Sequence, residues 1–188
     1  MAMQFRVIVD SGLAMSWIVF LVALVKARPW TRVRDLGGRP TEARWGTVLI
    51  VAGLAILLIP YWPPGAHLSA ASLEISIGLA ALSCLLSIWA MISTRGARWS
   101  PADCMRPQLP RTGLHSIVRH PVYTALIVQA FATATALSWW LWMFAGMFFV
   151  ILGVDLRATA DDLILADIFQ DEFLEYQSGT KLFLPWLH

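Results

Sequence analysis

Charge is what this chain has least of. Asp, Glu, Lys and Arg together make up 14% of its 188 residues, against about 25% in an average soluble domain. That scarcity excludes a disordered chain, a nucleic-acid-binding tail and an ordinary soluble enzyme. Cysteine is nearly absent too. Cys84 and Cys104 form no CxxC pair, so neither a disulfide framework nor a zinc site is supported. Internal repeats and low-complexity tracts are missing. What fills the space is apolar: 58% of residues are hydrophobic and the mean hydropathy is +0.65. Ten tryptophans are many for this length, and membrane proteins concentrate Trp where lipid meets water. The composition is that of a membrane protein.

Crossing about 30 Å of hydrocarbon as helix takes about 20 apolar residues. Residues 7–25 form one such run, interrupted by Asp10. Residues 47–62 form a second, closed by Pro60 and the Pro63–Pro64 pair. Residues 73–92 form a third, with Glu74 in its first turn. Residues 122–156 carry no charge before Asp155. A helix of that length would reach about 52 Å, too long for one crossing. It reads as a hairpin of two short spans turning near Ser138-Trp139-Trp140. The first run lacks a strong basic start, and Lys26-Ala27-Arg28-Pro29 is no small-residue cleavage site, so it is expected to be structure rather than a signal peptide.

The expected architecture is all-α: an integral membrane protein of five transmembrane helices, the last two a hairpin. Basic residues set its orientation. Lys26, Arg28, Arg32, Arg34, Arg39 and Arg44 fall in one connector. Arg95, Arg98, Arg106, Arg111 and Arg119 fall in the next but one, and Arg157 and Lys181 in the tail. Only Arg6 falls on the other side. By the positive-inside rule the N-terminus is outside and the C-terminus cytoplasmic. Trp30, Trp45, Trp62, Trp89, Trp139, Trp140 and Trp142 fall near span ends, where interfacial anchors belong.

The tail after Arg157 carries Asp161, Asp162, Asp167, Asp171, Glu172 and Glu175, too many charges for a sixth span. Leu165, Phe169, Phe173 and Tyr176 recur at helical spacing. Residues 159–177 are therefore expected to form a cytosolic amphipathic helix that packs by this stripe, with Gly179 as its C-cap. The whole chain, 1–188, reads as one membrane-embedded domain. Residues 1–92 form the first three spans; residues 93–188 form the connector, the hairpin and the C-terminal helix. Gly12, Gly53, Gly78, Gly146 and Gly153 read as close-contact positions between helices. Cys84 reads as packing.

Two cytosolic segments are dense in polar residues. One is Pro110-Arg-Thr-Gly-Leu-His-Ser-Ile-Val-Arg-His-Pro-Val-Tyr123. The other is Asp155-Leu-Arg-Ala-Thr-Ala-Asp-Asp162. A hairpin makes their helices antiparallel neighbours, so both clusters meet at one membrane depth. Pro121 suits the first turn of a helix. The helix end there offers free N–H donors and partial positive charge to an anion. Asp161 and Asp162 offer negative charge to an ammonium. One anion end and one cation end suit an amino-acid-like moiety. Other readings stand beside these. Arg111 reads as a positive-inside anchor, and Arg119 fits either an anchor or a site group. Asp162 reads as a helix-start charge. His115 and His120 do not stack on one helix face and lack neighbouring ligands, so no metal is expected.

Gly113-Leu-His-Ser-Ile-Val-Arg-His-Pro-Val-Tyr123 resembles the G-x-Y-x-x-x-R-H-P-x-Y signature of the isoprenylcysteine carboxyl methyltransferase family and its phospholipid methyltransferase relatives. Arg157 to Tyr176 is similar to that family's R-x-x-x-E-E and F-G-x-x-Y-x-x-Y elements, and Leu184-Pro185 to its ending. The resemblance covers roughly residues 105–186. It implies a membrane-embedded methyltransferase using S-adenosyl-L-methionine. It implies cofactor contacts at Leu109, Pro110, His115, His120, Pro121, Val122, Tyr123 and Asp161, and a catalytic Arg157 facing the methyl acceptor. His115 stands where the signature has Tyr, Asp161 and Asp162 where it has Glu, and Gln170 and Phe173 where it has Gly and Tyr.

The implied acceptor is lipophilic or lipid-linked and enters from the membrane lipid, with no nucleic acid or metal involved. The leading acceptor is the carboxylate of an isoprenylcysteine-like thioether, which Arg157 would hold by a fork of hydrogen bonds. A phospholipid amine or a small thiol follows, and for either His115 or His120 would serve as base. Membrane sterol reductases carry an RHPxY element too, so an NADPH-dependent reductase is the rival enzyme class. A non-catalytic scaffold is the third.

Overall fold

A computed structural model describes residues 2–26, 40–58, 69–95, 109, 111–137 and 140–183. Among these residues it is helical, with no strand and a single isolated bridge between Val118 and Lys181. The helices are α1 (Ala2–Lys26), α2 (Pro40–Leu58), α3 (Ala70–Arg95), α4 (Pro121–Leu137), α5 (Trp140–Phe169) and α6 (Asp171–Gly179). A 3-10 turn, Gly113–Ser116, precedes α4. α1, α2, α3 and α5 are long and apolar enough to cross a membrane; α4 is apolar but shorter, at 17 residues. The turn expected at Ser138-Trp139, with Trp30, Trp62 and Pro110, lies outside the described residues.

These helices are apolar around their whole circumference, the pattern of membrane spans rather than surface helices. Their outer faces leave Ile8, Val51, Leu85, Phe144 and Phe148 exposed. Trp45, Trp89 and Trp140 are exposed near helix ends. Inside, Phe20, Leu57, Ala125, Leu126, Met147, Val150 and Val154 form the core at the meeting of α1, α2, α4 and α5.

α1, α3 and α4 form one set. Ser76 and Ser83, seven residues apart on one face of α3, donate to the carbonyls of Ala132 and Ala125 on α4, at 2.8 and 3.0 Å. Gln129 donates to Ser16 at 2.7 Å, and the Trp17 indole donates to Thr133 at 3.1 Å. Such bonds hold helices together where lipid removes the hydrophobic drive for association.

α2 and α5 form the other set. α4 and α5 are in contact, and α5 packs more extensively along α2. Two glycine pairs explain it. A Cβ at Gly46 would sit 2.8 Å from the Gly153 carbonyl oxygen, and one at Gly53 would sit 2.7 Å from that of Gly146. Only bare backbone lets the two helices come this close. A Cβ at Gly12 or Gly78 would meet nothing within 4 Å, so neither is a close-contact position of the kind expected.

The tail also departs from expectation. Residues 159–169 continue α5, and the helix breaks at Gln170, whose φ of 46° is unusual for a residue with a side chain. The break folds α6 back. Phe173 and Tyr176 close on Phe169 and Leu109 in a buried cluster, with Leu165 packed against it. The stripe is a packing face spread over two helices rather than one. Gly179 ends α6, and Thr180, in extended conformation, is the cap.

Candidate active site

The chain enters α4 through Gly113, whose φ of 64° suits glycine. The next amide, Leu114 N–H, donates to Ser93 of α3 at 3.2 Å. His120 then caps α4: its carbonyl accepts the N–H groups of Tyr123 and Thr124 at 3.0 and 3.1 Å. Pro121 begins the helix, buried, as its missing donor allows. Val122 is half-buried against the core.

From this start α4 presents Tyr123 to α5. The Tyr123 hydroxyl donates to Asp161 Oδ2 at 2.6 Å and accepts from Arg157 Nε at 3.1 Å. Arg157 also donates through Nη1 to the Ala43 carbonyl of α2 at 3.3 Å, and pairs through Nη2 with Asp161 Oδ1 at 3.5 Å. Its side chain is 14% exposed and that of Asp161 26%. Arg157 is thus a bound group at the junction of three helices, not an arginine reaching for the interface.

One residue on, Asp162 is buried at 9% exposure. Its Oδ1 lies 2.7 Å from His120 Nε2, and its Oδ2 accepts from Arg119 Nε at 3.2 Å. The reading of Asp162 as a helix-start charge is wrong, because α5 begins at Trp140 and the carboxylate is enclosed among its partners. Its side chain is 12% exposed against 26% for Asp161, so Asp161 is the carboxylate better able to meet a ligand. Arg119 is a strut. Its Nη1 donates to the carbonyls of Gln177 and Thr180, at 3.2 and 2.8 Å. Arg111 pairs with Glu172 and Glu175 of α6 rather than standing as a free anchor.

Residues 181–183, after α6, lie against this start. Arg119 N–H donates to the Lys181 carbonyl at 2.8 Å, and the Thr124 hydroxyl donates to the Phe183 carbonyl at 2.7 Å. The His120 ring stacks on Tyr123 at 5.5 Å.

His115 lies on the α6 side. It is 5% exposed, and its carbonyl accepts from the Tyr176 hydroxyl at 2.7 Å. Burial, and then the charge of His120, lowers its pKa to about 4, so the ring is neutral at pH 7. Burial raises the Tyr176 hydroxyl to about 12. The buried His115 Nδ1 has no hydrogen-bond partner among the described residues. An orphaned buried polar atom is rare, and a ligand bound beside it would satisfy it. Leu109 is buried against Phe169, Phe173 and Tyr176. Among the described residues no group of three His, Cys, Asp or Glu could hold a metal. A cleft of about 250 Å³ between α1 and α3, lined by Leu13, Ser16, Ser76 and Cys84 among others, involves none of these residues.

Sequence reasoning missed Ala43 and Gly46, because nothing in an apolar helix marks the turn that meets Arg157. It also missed the engagement of Asp162.

Methanethiol S-methyltransferase 1 of Bradyrhizobium diazoefficiens is 31% identical over 80 residues, which is 43% of this chain and 27% of that protein. The matched segment therefore spans about a quarter of that protein's length. No family model matches the chain, and no solved structure does. The chain is a distant relative of a methyltransferase, with apolar helices compatible with membrane spans.

Proposed function

We propose that this chain is a membrane-embedded methyltransferase that uses S-adenosyl-L-methionine and methylates a thiol reaching the site from the bilayer. The observation that carries the reading is the Tyr123–Arg157–Asp161 cluster. It joins the two motif halves, 34 to 38 residues apart in sequence, through bonds of 2.6–3.5 Å. The thiol is supported by the name of the relative, which acts on methanethiol.

Counting α4 as a fifth crossing puts thirteen of the fourteen Lys and Arg residues on one side. The site then lies at the cytoplasmic face, with the N-terminus outside. Leu109, Pro110, His115, His120, Pro121, Val122, Tyr123 and Asp161 would hold the methyl donor. The unpartnered His115 Nδ1 and the partly open Asp161 carboxylate fit its polar groups. When bound, the donor supplies a methyl group already activated on a sulfonium.

The chain's own task is placement and deprotonation. His115, buried and neutral, is a poor base. His120 is better placed: Asp162 holds its Nε2, leaving Nδ1 to take the thiol proton. Arg157, held by Tyr123 and Asp161, presents positive charge to the forming thiolate. A second reading, a carboxylate acceptor such as an isoprenylcysteine, is favoured by the half-enclosed Arg157 guanidinium, which suits a carboxylate and needs no base.

Arg157→Ala tests the assignment. Turnover should vanish while S-adenosylhomocysteine still raises the thermal midpoint. An active Arg157→Ala protein would remove the arginine's role.

A further inference from the structure

Arg157 is held from a helix that the motif does not contain. The Ala43 carbonyl of α2 accepts from its Nη1 at 3.3 Å. Three residues on, a Cβ at Gly46 would sit 2.9 Å from the backbone nitrogen of Arg157 and 3.1 Å from its Cβ, besides 2.8 Å from the Gly153 oxygen. Most of these atoms are backbone, so they cannot swing aside; the helices would have to part by a few tenths of an ångström. The same turn of α2 therefore sets both where the arginine's root lies and where its tip is anchored.

We infer that Gly46 and Ala43 position Arg157, which makes the first turns of α2 part of the acceptor side of the site. This rests on the reading of Arg157 as the group facing the acceptor. Gly46 is a positioning residue, since it acts only through Arg157. Its role is specific rather than general packing because Gly53 offers a matched comparison. A Cβ at Gly53 meets the Gly146 oxygen and the Val150 nitrogen at 2.7 Å each, an equally tight fit in the same helix pair. Yet it lies about 10 Å further along α2, at about 1.5 Å per residue, away from Arg157.

The test compares wild type, Gly46→Ala and Gly53→Ala, purified as full chains in detergent. Methyl transfer from S-adenosylmethionine is measured to methanethiol and to an S-farnesyl cysteine, and S-adenosylhomocysteine affinity by thermal shift. Both variants should lower the thermal midpoint. Gly46→Ala should raise the acceptor KM roughly tenfold, because sub-ångström misplacement of an orienting group is costly, with inhibitor affinity unchanged within about twofold. Gly53→Ala should leave the acceptor KM within about twofold of wild type. Equal KM effects from the two variants, or a loss of inhibitor affinity in place of the KM rise, would overturn the inference and leave the methyltransferase reading intact.

Thr47→Val guards against a Gly46 variant that does not fold. Thr47 is exposed, and its hydroxyl donates to the same Ala43 carbonyl at 3.0 Å. Valine removes that bond without touching the helix contact. The acceptor KM should change by at least about twofold; no change counts against the inference. A wild-type chain that neither binds S-adenosylhomocysteine nor methylates either acceptor overturns the functional reading and the inference together.

Discussion

The Tyr123 hydroxyl donates to the Asp161 carboxylate across 2.6 Å, tying the first turn of α4 to the C-terminal part of α5. Hydrogen bonds to charged groups contribute about 1.5–3 kcal/mol. Tyr123→Phe should cost about 2 kcal/mol of stability, read as a lower thermal midpoint. It should also reduce methyl transfer more than tenfold, since Asp161 and Arg157 each lose a bond that orients them. A fully active Tyr123→Phe protein would take the hydroxyl out of the site.

Asp162 should matter more to folding than Asp161. Removing it leaves Arg119 and His120 facing each other without their shared carboxylate. Breaking a buried pair costs about 3–5 kcal/mol, whereas a more exposed one costs far less. Asp162→Ala should therefore fall well below Asp161→Ala in thermal midpoint. The reverse order would contradict the described burial.

Gln170 is strained. It sits at φ 46° and ψ −122° between α5 and α6, where the family pattern that the chain resembles has glycine. Gln170→Gly should stabilise by about 1 kcal/mol, the strain relieved less the entropy glycine brings to the unfolded chain. Gln170→Val should destabilise, since a β-branched residue tolerates positive φ worst. Denaturation of the two variants side by side checks both signs.

His115 gives the fold a pH dependence. Its pKa is lowered to about 4 in the folded chain, against about 6.5 when unfolded. Between those values the unfolded chain binds more protons, so stability rises with pH there and is level above 6.5. The span is worth on the order of 3 kcal/mol. His115→Gln should flatten the midpoint-against-pH curve between pH 4 and 6.5 relative to wild type. Parallel curves would show that the ring is not buried as described.

Hydropathy made the long apolar helices α1, α2, α3 and α5 legible, because crossing lipid would demand long apolar runs. Pro121 marked the start of α4 for a local reason, its lost donor. Of the polar segments, residues 119–123 and 157–162 do meet, as antiparallel neighbours would, whereas Arg111 and His115 face α6. What stayed hidden depends on which faces meet. Asp161 and Asp162 are adjacent in sequence but point about 100° apart on a helix, so only the packing tells which is enclosed. The pairing of α2 with α5 leaves only glycines as a trace, and Gly12 and Gly78 look the same in sequence yet a Cβ at either would meet nothing within 4 Å. The break at Gln170 runs against local preference. It is driven by distant contacts: Tyr176 on the His115 carbonyl, and Arg119 on the end of α6.

The most direct measurement is thermal shift of the detergent-purified wild-type chain with S-adenosylhomocysteine and, separately, with NADPH. A ligand that binds only the folded state raises the midpoint, by about 2.7 kcal/mol in stability at a hundred times its Kd. A methyl-transferring site predicts a shift with S-adenosylhomocysteine and none with NADPH. A shift with NADPH alone, or with neither, would contradict it.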